Sequence, residues 1–280
     1  MSGILYVVAT PIGNLEDVTF RALRILREVA VIAAEDTRRT SRLLQHYSIS
    51  TPTTSLHEHN EGARIPHLLA RLAAGESIAL VSDAGTPSIS DPGALLVAAA
   101  HAAGRKVVPV PGPSAALAAV SASGLTADQI LFVGFPPHRS TARKKLFESL
   151  RGERRLIVFF EAPHRIRESL ADLAAAFGNR VVAVGRELTK AHEELVVQPI
   201  GEYLGTMREP RGEYTVVVQP GPEEREPRDP LPDARQLLQE LGEMPNNSGD
   251  SRRDAVRRLA ERYGVSPREM YRLLESAREE

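Results

Sequence analysis

The chain has 280 residues, a globular composition, a formal net charge of −1 and no cysteine. This length is sufficient for two domains of ordinary size, and the missing cysteines exclude disulfides and thiolate metal sites. Because the charge is balanced, any contact with nucleic acid has to come from a local patch. No apolar stretch reaches membrane-spanning length, so we expect a cytoplasmic protein without membrane contact.

The chain opens with a strand predicted over residues 4–9, a turn, and a helix over 18–30. The second predicted strand, 31–34, is followed by two acids and two arginines: Glu35, Asp36, Arg38 and Arg39. Helix capping needs fewer polar groups than this, so we interpret the cluster as one wall of an active cleft. A capped helix start with solvated arginines is the alternative.

A third predicted strand, 53–56, leads into the sequence His57-Glu58-His59. A His-x-His pair beside acids can bind zinc. No third ligand follows at a convincing spacing, and a polar helix start explains these residues equally well. The sequence therefore predicts no metal site.

The fourth predicted strand, 78–81, leads into a loop of small and polar residues that is central to the functional interpretation. In open α/β sheets ligands bind at the carboxyl ends of strands. Gly85 lets the backbone approach a ligand closely, and Asp83 can accept hydrogen bonds from hydroxyls or an amine. We expect Asp91 to be the N-cap and Pro92 the first residue of the next helix. An ordinary tight turn is the alternative interpretation.

A fifth predicted strand, 105–110, is followed by a turn and then by a helix with Ser114 at its N-terminus. Ser114 either contacts a ligand or only caps this helix. Strands that alternate with helices in this way predict a parallel α/β domain up to about residue 115. Strands at 130–135, 155–160, 180–184 and 214–219 indicate a second α/β unit.

The basic segment at Arg143, Lys144 and Lys145 is either a phosphate-binding patch or a solvated helix face. Residues 223–233 form a predicted linker and 245–250 a second break. Residues 251–277 have the outline of a small helix-turn-helix, which binds nucleic acid or packs on a partner subunit. These patterns favour an enzyme but name no reaction, because no Gly-x-Gly-x-x-Gly motif or P-loop is present.

Eight motifs, in order along the chain, resemble those of one family. They are TPIGNL (10–15), AEDTR (34–38), HEHN (57–60), DAGTP with SDPG (83–87 and 90–93), PGPSA (111–115), EAPHR (161–165), RELTK (186–190) and GEY (212–214). They resemble the tetrapyrrole-methylase-like (class III) S-adenosylmethionine methyltransferases, and within them the ribosomal RNA small subunit methyltransferase I group. The resemblance implies transfer of a methyl group from S-adenosylmethionine to the ribose 2′-OH of a decoding-centre cytidine.

The same resemblance implies two α/β domains, over residues 1–115 and 116–222, with the cofactor in the cleft between them. A small helical tail covers 233–280. The expected partner is small-subunit ribosomal RNA or the assembled small ribosomal subunit, and the expected assembly is a homodimer. A methylase of small tetrapyrroles and a non-catalytic RNA-binding assembly factor are the alternatives.

The resemblance also predicts individual site residues. The expected cofactor-binding residues are Pro11, Asp83, Ala84, Gly85, Thr86, Ser114, Ala115, Phe160, Arg186 and Leu188. The expected substrate-binding residues are Asn14, Arg38, His57, His164 and Arg165. A ribose hydroxyl is a poor nucleophile, so a general base or a nearby cation would help. The candidates for these catalytic roles are Glu35, Asp36, Glu187 and Lys190.

Overall fold

The computed structural model describes residues 3–221, 231–243, 252–263 and 265–279. The chain divides into two compact units, Met1–Pro222 and Glu223–Glu280. The first unit contains two five-stranded sheets, and the second is helical. No helix in the described ranges is long and apolar enough to cross a membrane.

The first sheet is wholly parallel and has the order β3-β2-β4-β1-β5. Its strands are β1 (Ile4–Val8), β2 (Val31–Ala34), β3 (Thr53–Ser55), β4 (Ile78–Val81) and β5 (Lys106–Val110). Because β4 lies between β1 and β2, the loop after β4 lies between the loops that follow those two strands. This order brings the predicted polar clusters to one edge of the sheet.

Helices cover both faces of the first sheet, and they are α1 (Phe20–Glu28), α2 (Thr37–His46), α3 (Glu61–Ala73) and α4 (Ala94–Ala102). Side chains of α1 and α2 share one core with Ile32 and Val81. Side chains of α3 and α4 share another core with Leu5 and Leu80. The strands are therefore buried on both faces, which explains their continuous apolar runs.

The second sheet is mixed and has the order β6-β7-β10-β8-β9, with only β6 and β7 parallel. Its strands are β6 (Ile130–Gly134), β7 (Leu156–Glu161), β8 (Val181–Arg186), β9 (Glu194–Pro199) and β10 (Tyr214–Val218). Its helices are α5 (Ala115–Ser123), α6 (Ser140–Ser149), α7 (Ile166–Phe177) and α8 (Ile200–Thr206). Ala119 of α5 packs against the core of this second sheet, so the chain passes from one sheet to the other near residue 115. The sequence analysis did not predict β9 and α8.

The start of α4 differs from the expected capping by Asp91. The helix begins at Ala94, and Gly93 precedes it with a φ of 113° and no side-chain cap. The Gly93 N–H instead donates to Oε1 of Glu61 at 2.7 Å. A Cβ at Gly93 would lie 2.7 Å from a Leu80 methyl carbon. The position therefore requires glycine, and Asp91 stays free of any capping role.

In its described residues the second unit contains three helices, α9 (Ala234–Glu243), α10 (Arg252–Tyr263) and α11 (Pro267–Glu279). Leu237, Val256, Leu259 and Met270 are buried in their shared core. The predicted pair of tail helices is confirmed, and α9 adds a third helix. The break predicted at 245–250 lies outside the described residues, as does most of the predicted linker.

Candidate active site

Asp83 joins the loop after β4 to the loop after β2. Its Oδ1 accepts a hydrogen bond from the Asp36 N–H at 2.9 Å, and Nη1 of Arg39 lies 3.4 Å from its Oδ2. The Asp83 N–H donates to Oε2 of Glu35 at 3.2 Å. The predicted polar wall and the central loop are therefore one hydrogen-bonded assembly.

The loops after β1 and β5 are bonded to the loop after β4. Thr10 and Gly85 form a two-bond antiparallel bridge with N···O distances of 2.8 and 3.0 Å. Gly85 has a φ of 76°, the left-handed region that favours glycine. The Thr86 hydroxyl donates to the Pro113 carbonyl at 3.3 Å. The predicted segments around Pro11, Ala84 and Ser114 are thus brought together.

Ser114 caps α5, since its hydroxyl accepts the Leu117 N–H at 3.5 Å. Ala115 is the first residue of that helix. The sequence left open whether Ser114 caps this helix, and the structure shows that it does. Ser114 and Ala115 directly follow Pro113, whose carbonyl is bonded to Thr86.

An open cleft of about 560 Å³ lies along the loop after β4. Its charged and titratable lining residues are Glu35, His57, Glu58, His59, Glu61 and Asp91. Four of these six are acids, so the cleft has a negative potential that attracts cations.

Two cleft carboxyls have raised pKa values. Burial raises the pKa of Asp91 to about 6, and the negative charges of Glu35 and Asp83 raise it further. Burial also raises the pKa of Glu35, against the hydrogen bond from the Asp83 N–H. Asp36 behaves in the opposite way. The hydrogen bonds from Arg38 hold the Asp36 pKa at about 2, and its carboxylate caps α2.

His57 lines the cleft and is oriented by Asn60. The His57 N–H donates to Oδ1 of Asn60 at 2.9 Å, and its Nε2 lies 3.0 Å from Nδ2 of Asn60. Asn60 also donates to the Ser55 hydroxyl at 3.2 Å. The HEHN motif therefore builds the entry to α3 and fixes the His57 ring at the wall of the cleft. Within the described ranges, no group of three histidines, aspartates or glutamates is arranged to hold a metal ion.

The loop after β8 holds a lysine between two carboxylates. Nζ of Lys190 lies 2.8 Å from Oε1 of Glu187 and 2.9 Å from Oε2 of Glu213. Burial acts to lower the Lys190 pKa, but these two hydrogen bonds outweigh it and raise the pKa. Burial acts to raise the Glu187 pKa, and its bonds to Lys190 and the Glu213 N–H lower it overall. Lys190 is therefore a fixed cation and Glu187 a fixed anion.

The same loop contacts the loop after β1. The Asn14 N–H donates to the Thr189 hydroxyl at 3.1 Å, and a side chain at Gly13 would collide with Lys190. These contacts join the carboxyl ends of β1 and β8, so the predicted residues Asn14 and Lys190 share one region.

The other predicted cofactor residues of the second half also lie at strand ends. Nε of Arg186 donates to Glu194 at 3.0 Å, and Leu188 packs on Gly185. The Phe160 ring lies 5.0 Å from that of Phe132 and 5.6 Å from that of Phe135. At the end of β6, a Cβ at Gly134 would be 3.0 Å from the Ser90 hydroxyl. The end of this strand therefore approaches the loop after β4.

Two arginines that the sequence placed at possible contacts with RNA are buried in the second half. The predicted substrate-binding residue Arg165 donates to the Pro136 carbonyl at 2.6 Å and to Oε2 of Glu161 at 2.9 Å. Its Nη1 lies 2.6 Å from Nδ1 of His138, so the structure does not bring it into the cleft. His164, by contrast, is exposed. Arg143 is 1% exposed and bonded to Asp172, so it belongs neither to a phosphate-binding patch nor to a solvated helix face.

The known proteins that resemble this chain agree with this architecture. The model of the tetrapyrrole (corrin/porphyrin) methylases matches residues 4–204. The chain belongs to the tetrapyrrole methylase family. The family prediction is confirmed, and with it the expectation of a methyltransferase that uses S-adenosylmethionine.

Several relatives that align over most of this methylase share one name. A Synechocystis protein named ribosomal RNA small subunit methyltransferase I is 46% identical over 275 residues, 97% of both chains. A protein of the same name from Bacillus subtilis is 42% identical over 271 residues, 96% of this chain and 93% of its own. One from Escherichia coli O157:H7 is 42% identical over 275 residues, with 96% and 94% coverage.

Solved structures show the fold. The methyltransferase CobJ aligns with a TM-score of 0.60 at 19% identity, over 78% of this methylase and 95% of its own chain. Uroporphyrin-III-C-methyltransferase from Thermus thermophilus aligns with a TM-score of 0.56 at 20% identity, over 78% and 94%. The predicted α/β fold is confirmed.

Four titratable residues that line the cleft are absent from the predicted site residues. Asp91 was assigned to a cap, and Glu58, His59 and Glu61 to a polar helix start. Glu61 is 6% exposed and fixes the Gly93 N–H. The loop after β4 contains two acids, Asp83 and Asp91, and this pair could have indicated that Asp91 lines the cleft. Nothing local in the sequence indicates the same for Glu61.

Proposed function

We propose that this methylase transfers the methyl group of S-adenosylmethionine to the ribose 2′-OH of a decoding-centre cytidine in small-subunit ribosomal RNA. The supporting observation is the 41–46% identity to ribosomal RNA small subunit methyltransferases I over 96–97% of the chain. The similar solved structures are at most 20% identical and support the fold alone. A small tetrapyrrole substrate is therefore not favoured.

The charge of the acidic cleft suits the cofactor, although none of the predicted cofactor-binding residues is among the residues that line it. The sulfonium and amine of S-adenosylmethionine are cationic, and four carboxylates line the cleft beside the loop of Asp83. When bound, the cofactor supplies an activated methyl group on a good leaving group. The chain supplies alignment through the loops at Pro11, Asp83–Thr86 and Ser114–Ala115, with Phe160, Arg186 and Leu188 from the second half. Alignment of this kind is worth about 7–11 kcal/mol.

Glu35 is the best placed of the four catalytic candidates to accept the hydroxyl proton. Its raised pKa makes it a stronger base than an ordinary carboxylate, and it lines the cleft. Asp36 is held by Arg38 and Glu187 by Lys190, so both are weak bases. We assign Lys190 to electrostatic stabilisation of the oxygen nucleophile, because its clamped ammonium stays charged.

We assign the RNA contacts nearest the cleft to the exposed residues Asn14, Arg38 and His164 of the predicted set, and to the half-buried His57. Arg165 instead holds β7 and the start of α7 in place through Glu161.

We further propose domains over 1–115, 116–222 and 233–280, a homodimeric assembly and a cytoplasmic location. Sedimentation equilibrium tests the assembly: a single species of about 30 kDa would contradict the dimer, since one chain has a mass of 30.5 kDa.

The experiment that tests the activity is methylation of purified small ribosomal subunits, compared with their naked RNA. We expect methyl transfer, and a product bond that resists alkaline hydrolysis at a single cytidine. In single-turnover reactions Glu35→Gln should be slower by roughly 10²–10⁴-fold. The control Glu202→Gln, an exposed acid of α8 away from the cleft, should keep the wild-type rate within about threefold.

Binding of S-adenosylhomocysteine without methyl transfer to either RNA substrate would contradict the proposed reaction. An unchanged single-turnover rate for Glu35→Gln would contradict its role as the base.

A further inference from the structure

The helices α1 and α2 present a concentration of positive charge, most of which the proposed chemistry does not use. Together they contain six arginines and one acid, Glu28, in a chain whose net charge is −1. Glu28 pairs with Arg24. The exposed residues of this face include Phe20 and all six arginines, which are Arg21, Arg24, Arg27, Arg38, Arg39 and Arg42. On the opposite side of the same sheet, α3 and α4 carry only two arginines, Arg64 and Arg71.

The two helices form one continuous surface. They share a core on the same side of the first sheet. Nη2 of Arg27 donates to the Tyr47 carbonyl at 3.1 Å, and the Tyr47 hydroxyl donates to the Leu15 carbonyl at 2.6 Å. The N-terminus of α2 adjoins the cleft through Asp36 and Asp83. A polyanion that follows α2 is therefore led to the edge of the acidic cleft.

An aromatic ring lies within this basic surface. Phe20, the first residue of α1, is 94% exposed. A lone exposed apolar residue is ordinary, but a ring among arginines is the arrangement that binds single-stranded nucleic acid. Arginines hold phosphates, and an aromatic face stacks on any base. The acidic cleft repels phosphate, so the RNA backbone has to be held outside it.

We propose that the exposed face of α1 and α2 binds the phosphate backbone of the substrate RNA, and that Phe20 stacks on one of its unpaired bases. The inference rests on the proposed RNA substrate, and it adds the surface that holds that RNA.

Arg21 and Arg42 provide the test of the phosphate contacts, since neither has an ion-pair partner among the described residues, and both are exposed. The variant is Arg21→Gln/Arg42→Gln. The matched control, Arg64→Gln/Arg154→Gln, removes two exposed arginines from other surfaces. The probe is small-subunit ribosomal RNA, titrated at several salt concentrations.

Affinity falls as salt rises, so the slope of log affinity against log salt concentration is negative. We expect Arg21→Gln/Arg42→Gln to reduce the magnitude of this slope by about 2, and the control pair to leave it unchanged. Equal slopes for the two pairs would overturn the proposal, as would binding of the wild type to anionic lipid vesicles but not to RNA. Calorimetric binding of S-adenosylhomocysteine should be the same in all variants. If the wild type transfers no methyl group to this RNA, the proposed function fails instead.

Phe20 has an independent test, because the chain contains no tryptophan. Phe20→Trp introduces a single indole whose fluorescence should be quenched on addition of a polycytidine oligonucleotide. Phe20→Ala should weaken binding by about 5- to 150-fold, and Phe20→Trp should retain it. Absence of quenching together with wild-type affinity in Phe20→Ala would remove the stacking part of the proposal.

Discussion

The two halves of the first unit differ in how their charged side chains are arranged. In the first half, Glu35 and Asp91 face the cleft with raised pKa values. In the second half, charged groups are paired with one another, as in Glu161 with Arg165, Arg143 with Asp172, and Lys190 with Glu187. A paired charge stabilises a shape, whereas a carboxylate left facing a cleft is available to a ligand. The first half therefore presents carboxyl groups with raised pKa values to the cleft, whereas the second half contributes charged groups that other side chains already hold in place.

The largest expected effect comes from breaking a pair in the second half. Arg165→Met leaves Glu161 buried without its cation, because the Glu161 side chain is fully buried. We expect the free energy of unfolding to fall by about 3–5 kcal/mol, measured by urea denaturation followed by circular dichroism. The control Arg167→Met removes an exposed arginine of α7 and should cost about 1 kcal/mol or less. Equal losses of unfolding free energy in the two variants would contradict a larger contribution from the buried pair.

A smaller effect, on binding rather than stability, is expected in the first half. Asp83→Asn removes a carboxylate from the central loop and should weaken S-adenosylhomocysteine binding by about 2–3 kcal/mol, measured calorimetrically. Glu213→Gln is the matched control from the second half. Glu187 still holds Lys190 in that variant, so its affinity should stay within about threefold of wild type. A larger loss of affinity in Glu213→Gln than in Asp83→Asn would contradict this difference between the two halves.

The smallest effect concerns the pH dependence of Asp91. Its folded-state pKa is raised to about 6, so the folded protein binds this proton more tightly than the unfolded chain does. The contribution to stability is therefore complete below about pH 4 and is lost as pH rises through 6. At pH 7.5, Asp91→Asn should be more stable than wild type by about 1 kcal/mol, after allowance for solvent screening of this half-buried carboxyl.

Cofactor binding should change in the opposite direction. Protonation of Asp91 removes a negative charge from a cleft that binds a cation, so wild-type affinity should weaken as pH falls through 6. Asp91→Asn should bind more weakly at pH 7.5 and lose this dependence. Calorimetric titrations between pH 5 and 8 measure both effects. A wild-type affinity that is constant across this range would contradict the role of Asp91.

The sequence predicted the strands of the first sheet well, because each is a short apolar run followed by polar residues. It missed β9, an edge strand whose residues Glu194 and Gln198 interrupt the apolar pattern. It misplaced the start of α4, because the positive φ of Gly93 depends on the contact with Glu61. It also missed the burial of Arg143, whose partner Asp172 is 29 residues away along the chain. Local patterns show where polar groups occur, but only the tertiary arrangement shows which of them are paired.

The bridge between Thr10 and Gly85 has a consequence for the kinetics of the enzyme. Two mutual backbone hydrogen bonds tie these loops together, so their amide hydrogens should exchange slowly with solvent. A site whose loops are held by the chain's own backbone loses little conformational entropy on binding. Cofactor and RNA should therefore be able to arrive in either order, with neither required to prepare the site for the other.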